Sequence, residues 1–184
     1  MPIRLCRPPE SKRLALELRG LDSDGAFSGY ASLFGEADLA RDVVEPGAFA
    51  ASLARRGIAG VKMLWHHDPA EPIGTWLDIR EDARGLAVRG RILTELARGR
   101  EALVLMRAGA VDGLSIGFRT VRARPEMVGR KSAGRRLIEV DLWEISLVTF
   151  PMLPAARIAA VKGASPPDGL ADAIRRAARR LAVS

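Results

Sequence analysis

The chain has 184 residues, enough to close one core of ordinary size, and 48% hydrophobic against 28% charged side chains is a globular composition that excludes a wholly disordered chain. Lysine and arginine number 29 against 22 acids, a formal charge of +7 that first suggests nucleic acid, but the arginines are scattered among acids and aromatics are only 5%, leaving few stacking platforms. One cysteine, Cys6, excludes an internal disulfide and cysteine-rich zinc scaffolds.

In chain order, residues 1–12 are proline-rich and charged and read as a flexible arm. No run nears the roughly 20 apolar residues of a membrane span. The opening MPIRLCRPPESKR lacks an apolar stretch of signal-peptide length, so a protein kept inside a cell, with no membrane partner, is expected. A domain over 13–162 follows. LALELRG alternates apolar and polar residues, Gly20 to Gly25 is turn-like, and AFSGYASLF reads as a second strand, which together predict an antiparallel hairpin. DVVEPGAFAASLARRG predicts a short helix, with Pro46 in its first turn, Phe49 and Leu53 four apart and Gly57 as its stop. VKMLWHH, IGTWLDIRED and GLAVRGRIL read as three strands. ELARGREALVLMRAG reads as a helix capped by Thr94 and ended by Gly109, with Leu96, Leu103 and Met106 on one face. GLSIGFRTVRA and RRLIEVDLWEISLVTF supply two closing strands. About seven strands against two or three helices, without regular β-α alternation, predict an α+β domain around a mostly antiparallel, barrel-like sheet. GASPPDG, residues 163–169, reads as a linker. The segment 170–184 places Leu170, Ile174, Ala177, Ala178 and Leu181 at helical spacing with four arginines between them, a basic amphipathic helix. It either docks back on its own domain or serves as a partner-binding or removable tail.

Three places can carry chemistry. The two histidines, His66 and His67, are adjacent in WHHDP. Neighbours on a strand face opposite ways, and Val61, Met63 and Trp65 share a side with His67, so parity assigns His67 to the inner face. A structural histidine satisfying a local hydrogen bond is the alternative, and no HExxH or cysteine cluster supports a metal site. Ser115 sits in GLSIG, a GxSxG string that is weak by itself. No histidine follows it, which excludes the α/β-hydrolase order. Leu114, Ile116 and Phe118 point one way and leave Ser115 on the other side between two glycines, where a peptide can approach closely. A strand serine among glycine bulges is the alternative. In LIEVDLWEISLVTF, Glu144 interrupts the apolar row Ile138, Val140, Leu142 and Val148, whereas Glu139 and Asp141 fall on the other, solvated-looking face. A carboxylate in such a row needs a partner, because desolvating it alone costs several kcal/mol. An arginine satisfies that need, and so does a histidine that the acid orients.

Taken in order, GYASLFGEADLARDVVEPGAF, VKMLWHHDPAEPIGTW, GREALVLMRAGAVDGLSIGF and LWEISLVTFPMLPAARI resemble the prohead maturation proteases of tailed bacteriophages, a family also found in gene transfer agents. The resemblance runs from about Leu14 to about Val161. It implies a fold similar to herpesvirus assemblin and a serine endopeptidase that cuts the scaffold part of the capsid protein precursor, and itself, inside the prohead assembling in the bacterial host cytoplasm. It implies His67, in its HDP context, as general base and Ser115, in LSIGF, as nucleophile. Glu144, in WEISLVTFP, stands where the acid is expected, and herpesvirus proteases use a second histidine there. No cofactor or metal is implied, and nucleic acid is not required. The other classes open to the sequence are a non-catalytic assembly or scaffold-binding protein of the same fold, which intact His67, Ser115 and Glu144 disfavour, and a basic nucleic-acid-binding domain, which scattered charge disfavours.

Overall fold

The computed structural model of the protein describes residues 25–128 and 131–161. The expected arm at 1–12, first strand from Leu14, linker at 163–169 and helix at 170–184 lie outside the described residues. The described chain forms an eight-stranded sheet with two α-helices. Its strands are β1 (Ala26–Leu33), β2 (Asp42–Val44), β3 (Lys62–Trp65), β4 (Asp68–Glu81), β5 (Gly85–Ile92), β6 (Gly113–Val128), β7 (Lys131–Val148) and β8 (Ile158–Val161). The helices are α1 (Ala50–Arg56) and α2 (Ala97–Arg107).

The sheet order is β2-β7-β3-β4-β5-β1-β8, with β6 pairing the other edge of β7. Pairings are antiparallel except that β2 and β3 both run parallel to β7, so the sheet is mixed. It curls on itself. The Leu114 N–H donates to the Ala156 carbonyl and the Ile158 N–H to the Asp112 carbonyl, which brings the chain entering β8 against the start of β6. Strands buried on an inner face need apolar residues there. Met63, Ile73, Leu86, Ile92, Leu114, Leu142, Ile145 and Leu147 are all essentially inaccessible, and Phe27 meets Trp76 edge-on at 5.7 Å.

AFSGYASLF, VKMLW, IGTWLDIRED, GLAVRGRIL, GLSIGFRTVRA and RRLIEVDLWEISLVTF supply strands as expected, and the α+β, strand-rich curled architecture is the one expected. Local differences have identifiable causes. DVVEPGAFAASLARRG is not one helix. Asp42–Val44 instead pairs in parallel with Arg135–Leu137, and the helix starts at Ala50, after a turn whose Gly47 and Phe49 N–H groups donate to the Glu81 carboxylate. Thr94 does not cap α2: Leu96 occupies that position, and the Thr94 carbonyl accepts from the Arg100 side chain. Gly109, at φ 71, takes the left-handed conformation that ends the helix, its N–H on the Met106 carbonyl. Asp141 is not solvated; it is 4% exposed. Arg55 and Arg56 of α1 and the Trp143 indole cover it, and Trp143 is the extra residue of a bulge, at 51% exposure, because Gly117 pairs with Glu144 and Phe118 with Leu142.

Candidate active site

Three strands and one turn build the site. His66 and His67 do not continue β3 but form the two-residue connection between Trp65 and Asp68, which are paired. Both are left-handed, with φ 50 and 63, the mirror-image geometry that matches a two-residue hairpin and ordinarily selects Asn-Gly. Non-glycine residues held there are strained, and such strain gathers at functional positions. The strand-parity expectation for the histidines therefore fails for a physical reason, since alternation ends at Trp65. The turn is pinned to β7 instead. The His66 N–H donates to the Leu147 carbonyl at 3.0 Å and the His67 N–H to Ser146 Oγ at 3.1 Å. His66 lies edge-on to Trp65, with ring centroids 4.5 Å apart, while the His67 ring reaches the other two predicted residues.

Ser115 on β6 pairs with Ser146 on β7, and Gly117 pairs with Glu144. Glu144 Oε1 lies 2.6 Å from His67 Nδ1, and His67 Nε2 lies 2.9 Å from Ser115 Oγ. A carboxylate only accepts, so Nδ1 carries the proton it is given, and Nε2 is left with a lone pair for the Ser115 hydroxyl. The structure thus brings His67, Ser115 and Glu144 into one line. Ser115 is 3% exposed, whereas the His67 side chain is 42% exposed. The hydrogen bond from His67 to Glu144 raises the imidazole pKa above its ordinary 6.5, partial burial opposes that rise, and the charge of Glu144 adds to it. His66 shifts the other way, lowered by burial and by the neighbouring imidazole.

Two further residues shape the line and carry no signal in the sequence that singles them out. Ser146, fully buried, donates to Glu144 Oε2 at 2.6 Å while accepting the His67 N–H, so one hydroxyl holds both the acid and the histidine backbone. A Cβ at Gly117 would stand 1.9 Å from Glu144 Oε1. The space expected for an approaching peptide is at Gly117 occupied by the carboxylate itself. Similarly, a Cβ at Gly113 would fall 2.6 Å from the Val148 carbonyl oxygen and 2.7 Å from Pro151.

The buried Asp141 serves a neighbouring purpose. Arg56 binds it bidentately at 2.9 Å, Arg55 approaches to 2.5 Å, and the Trp143 indole N–H donates at 2.8 Å. The Arg56 hydrogen bonds, with those of Trp143 and Arg55, hold its carboxyl far below the usual carboxylate range. The Ser52 hydroxyl accepts the Leu142 N–H at 2.9 Å. These contacts fasten α1 to β7 three and two residues before Glu144. Arg119 lies 3.7 Å from the same carboxylate.

A fold that threads serine, histidine and carboxylate into one hydrogen-bonded line has the geometry of a nucleophilic hydrolase. Residues 14–166 match the caudovirus prohead serine protease family, and the chain belongs to that family. It is 34% identical over 149 residues to the prohead protease of Enterobacteria phage HK97, covering 80% of this chain and 64% of that protein. It is also 30% identical over 154 residues to the capsid polyprotein of Pseudomonas phage PAJU2, covering 80% of this chain and 22% of the polyprotein. The chain thus spans less than two thirds of either relative. The bacteriophage T4 capsid assembly protease has a similar fold, with a TM-score of 0.51 at 13% identity over 73% of this chain and 87% of that one. A Kaposi's sarcoma-associated herpesvirus (KSHV) protease superposes with a TM-score of 0.46 at 15% identity over 72% of this chain and 63% of that one.

Proposed function

We propose that the protein is a serine endopeptidase of prohead maturation, cutting the scaffold portion of the capsid protein precursor and its own chain within the prohead assembling in the bacterial host cytoplasm. The observation that carries this reading is the Glu144–His67–Ser115 line, at 2.6 and 2.9 Å, in a chain of the prohead protease family.

The chemistry is acyl transfer. Ser115 Oγ attacks a peptide carbonyl while His67 Nε2 takes its proton, and the resulting oxyanion requires donors from surrounding N–H groups. Collapse breaks the C–N bond, and His67 returns the proton to the leaving amine, leaving an acyl ester on Ser115. Water then attacks the ester with His67 again as base, releasing the acid and regenerating the serine. Glu144 fixes the tautomer and balances the imidazolium that forms at each transfer.

In this reading residues 13–162 are the catalytic domain and residues 163–184 a linker and basic tail, the tail recruiting scaffold or being processed. Incubation of the purified protein with its cognate capsid precursor tests the central step. Wild type is expected to convert the precursor on a gel, and Ser115→Ala to leave it intact while folding normally, its stability moving by no more than about 1 kcal/mol. Full cleavage by folded Ser115→Ala would remove the nucleophile assignment.

A further inference from the structure

The face of β6 that holds Ser115 also carries a cluster of cations. The register sets Ser115 opposite Ser146, Gly117 opposite Glu144 and Arg119 opposite Asp141, and the bulge between them takes its extra residue from β7. Alternation along β6 is therefore kept, and Arg119 lies on the Ser115 face, about 13 Å of strand further on. Asp141 faces three guanidinium groups there. Its lone pairs are taken, because Arg55 donates to Oδ1, Arg56 to both oxygens and the Trp143 indole to Oδ2, at 2.5 to 2.9 Å, and a carboxylate has roughly four such sites. Arg119 Nη2 stands 3.7 Å from Oδ2, beyond hydrogen-bond range, with no other partner among the described residues and a side chain 69% exposed. The acids on either side along β7 are engaged elsewhere, Glu144 by His67 and Ser146 and Glu139 by Arg122 at 3.9 Å. One carboxylate against Arg55, Arg56 and Arg119 leaves positive charge over, and Arg119 is the member whose donors are unspent.

A peptide has a path between the two places. The edge of β6 away from β7 meets other chain only at its start, where the Leu114 N–H bonds the Ala156 carbonyl and Gly113 bridges to Arg157. From Ile116 onward that edge has no strand partner among the described residues. An extended peptide reacting at Ser115 can run beside it, and because side chains alternate, the residue about four places along stands on the Arg119 face. A guanidinium with free donors there binds a carboxylate by charge-assisted hydrogen bonds, whereas a lysine or arginine of the peptide would meet like charge. We propose that Arg119 is a specificity-determining residue that selects an aspartate or glutamate about four residues from the scissile bond, with Arg55 and Arg56 adding to the positive field behind it. The inference rests on Ser115 acting as the nucleophile, and it adds the class of sequence that the protein cuts.

The test uses the full chain and a proteome-derived peptide mixture, with cut sites read by mass spectrometry. Wild type is expected to enrich aspartate and glutamate about four residues to one side of the cut. Two synthetic peptides built on a cut site, differing only in glutamate or glutamine there, then give a ratio of kcat/KM values within one enzyme preparation, from which partial misfolding cancels. Arg119→Gln is expected to lower the glutamate preference about fivefold, the upper size of a solvated ion pair. Arg119→Glu is expected to reverse it, favouring a peptide with lysine at that position. Cuts with no acidic enrichment, or a ratio unchanged in Arg119→Gln however far overall activity falls, would overturn the subsite while leaving the nucleophile in place. No cuts at all by wild type would overturn the Ser115 reading and the subsite with it.

Discussion

His67 can take a proton from Ser115 only when it is neutral, and its hydrogen bond to Glu144 raises its pKa above 6.5. The pH profile of kcat/KM is therefore expected to rise with a midpoint on the alkaline side of that value. Glu144→Gln removes the cause of the rise while the opposing burial remains, so the midpoint should move to lower pH. Plateau turnover should fall steeply, by up to about the 10⁴-fold seen when an amide replaces the acid of another serine protease. An unmoved midpoint would show that Glu144 does not bind the imidazole in solution. The same proton links to stability. A group whose folded pKa is raised stabilises fully below its unfolded value, near 6.5, and that contribution is lost as pH rises through the folded pKa, so the protein becomes active where it gives this stabilisation up. At this scale the sequence was informative where alternation held. Ser115 in GLSIG alternates with Leu114 and Ile116 as expected, whereas the bulge at Trp143 takes Glu144 out of the row of Val140 and Leu142 and sets it on the face of Ser115. The sequence was uninformative about why His67 and not His66 turns inward, because that depends on two left-handed residues and on the Ser146 hydroxyl, which reaches the turn only after β3 lies beside β7.

The pairing of β6 with β7 sets the distance between nucleophile and acid, and Gly117 is where that pairing is most sensitive. Gly117→Ala would drive a methyl into Glu144 Oε1, a contact of 1.9 Å if nothing moved. The carboxylate must swing away from His67, so the variant should fold with a loss of about 1 to 3 kcal/mol, the usual cost of overpacking. Its turnover and pH midpoint should resemble those of Glu144→Gln, and a fully active, normally titrating Gly117→Ala would show that the acid is not needed in that place. The long strands and α2 were legible from periodicity. β2 and β8, of three and four residues, were not, because strands that short carry no period and gain their identity from partners far along the chain. The bulge at Trp143 was equally silent, as was the docking of α1, whose Arg55 and Arg56 turn Asp141 from a solvated-looking residue into a buried anchor.

At the scale of the molecule, part of the basic charge of the described residues is answered from within. Arg55, Arg56 and Arg119 gather on Asp141, Arg124 and Arg136 on Glu45, and Arg135 on Asp42, so each of these arginines meets an acid locally. Arg175, Arg176, Arg179 and Arg180 concentrate positive charge in the tail. A chain ending at Val161 is expected to cleave an unstructured peptide at the wild-type rate but to bind scaffold less well. The full chain's scaffold binding should weaken with salt as the screening length falls from about 10 Å at 0.1 M to about 3 Å at 1 M. Loss of thermal stability and of peptide cleavage on truncation would mean instead that the tail packs on its domain. Activity of this line depends on Ser115 being activated by His67, and covalent labelling reads that activation on the intact chain. After reaction with a fluorophosphonate, wild type and His66→Ala should each gain one adduct by mass, mapped to the peptide containing Ser115, whereas folded His67→Ala should gain none. An adduct on another residue, or equal labelling of Ser115 without His67, would contradict it.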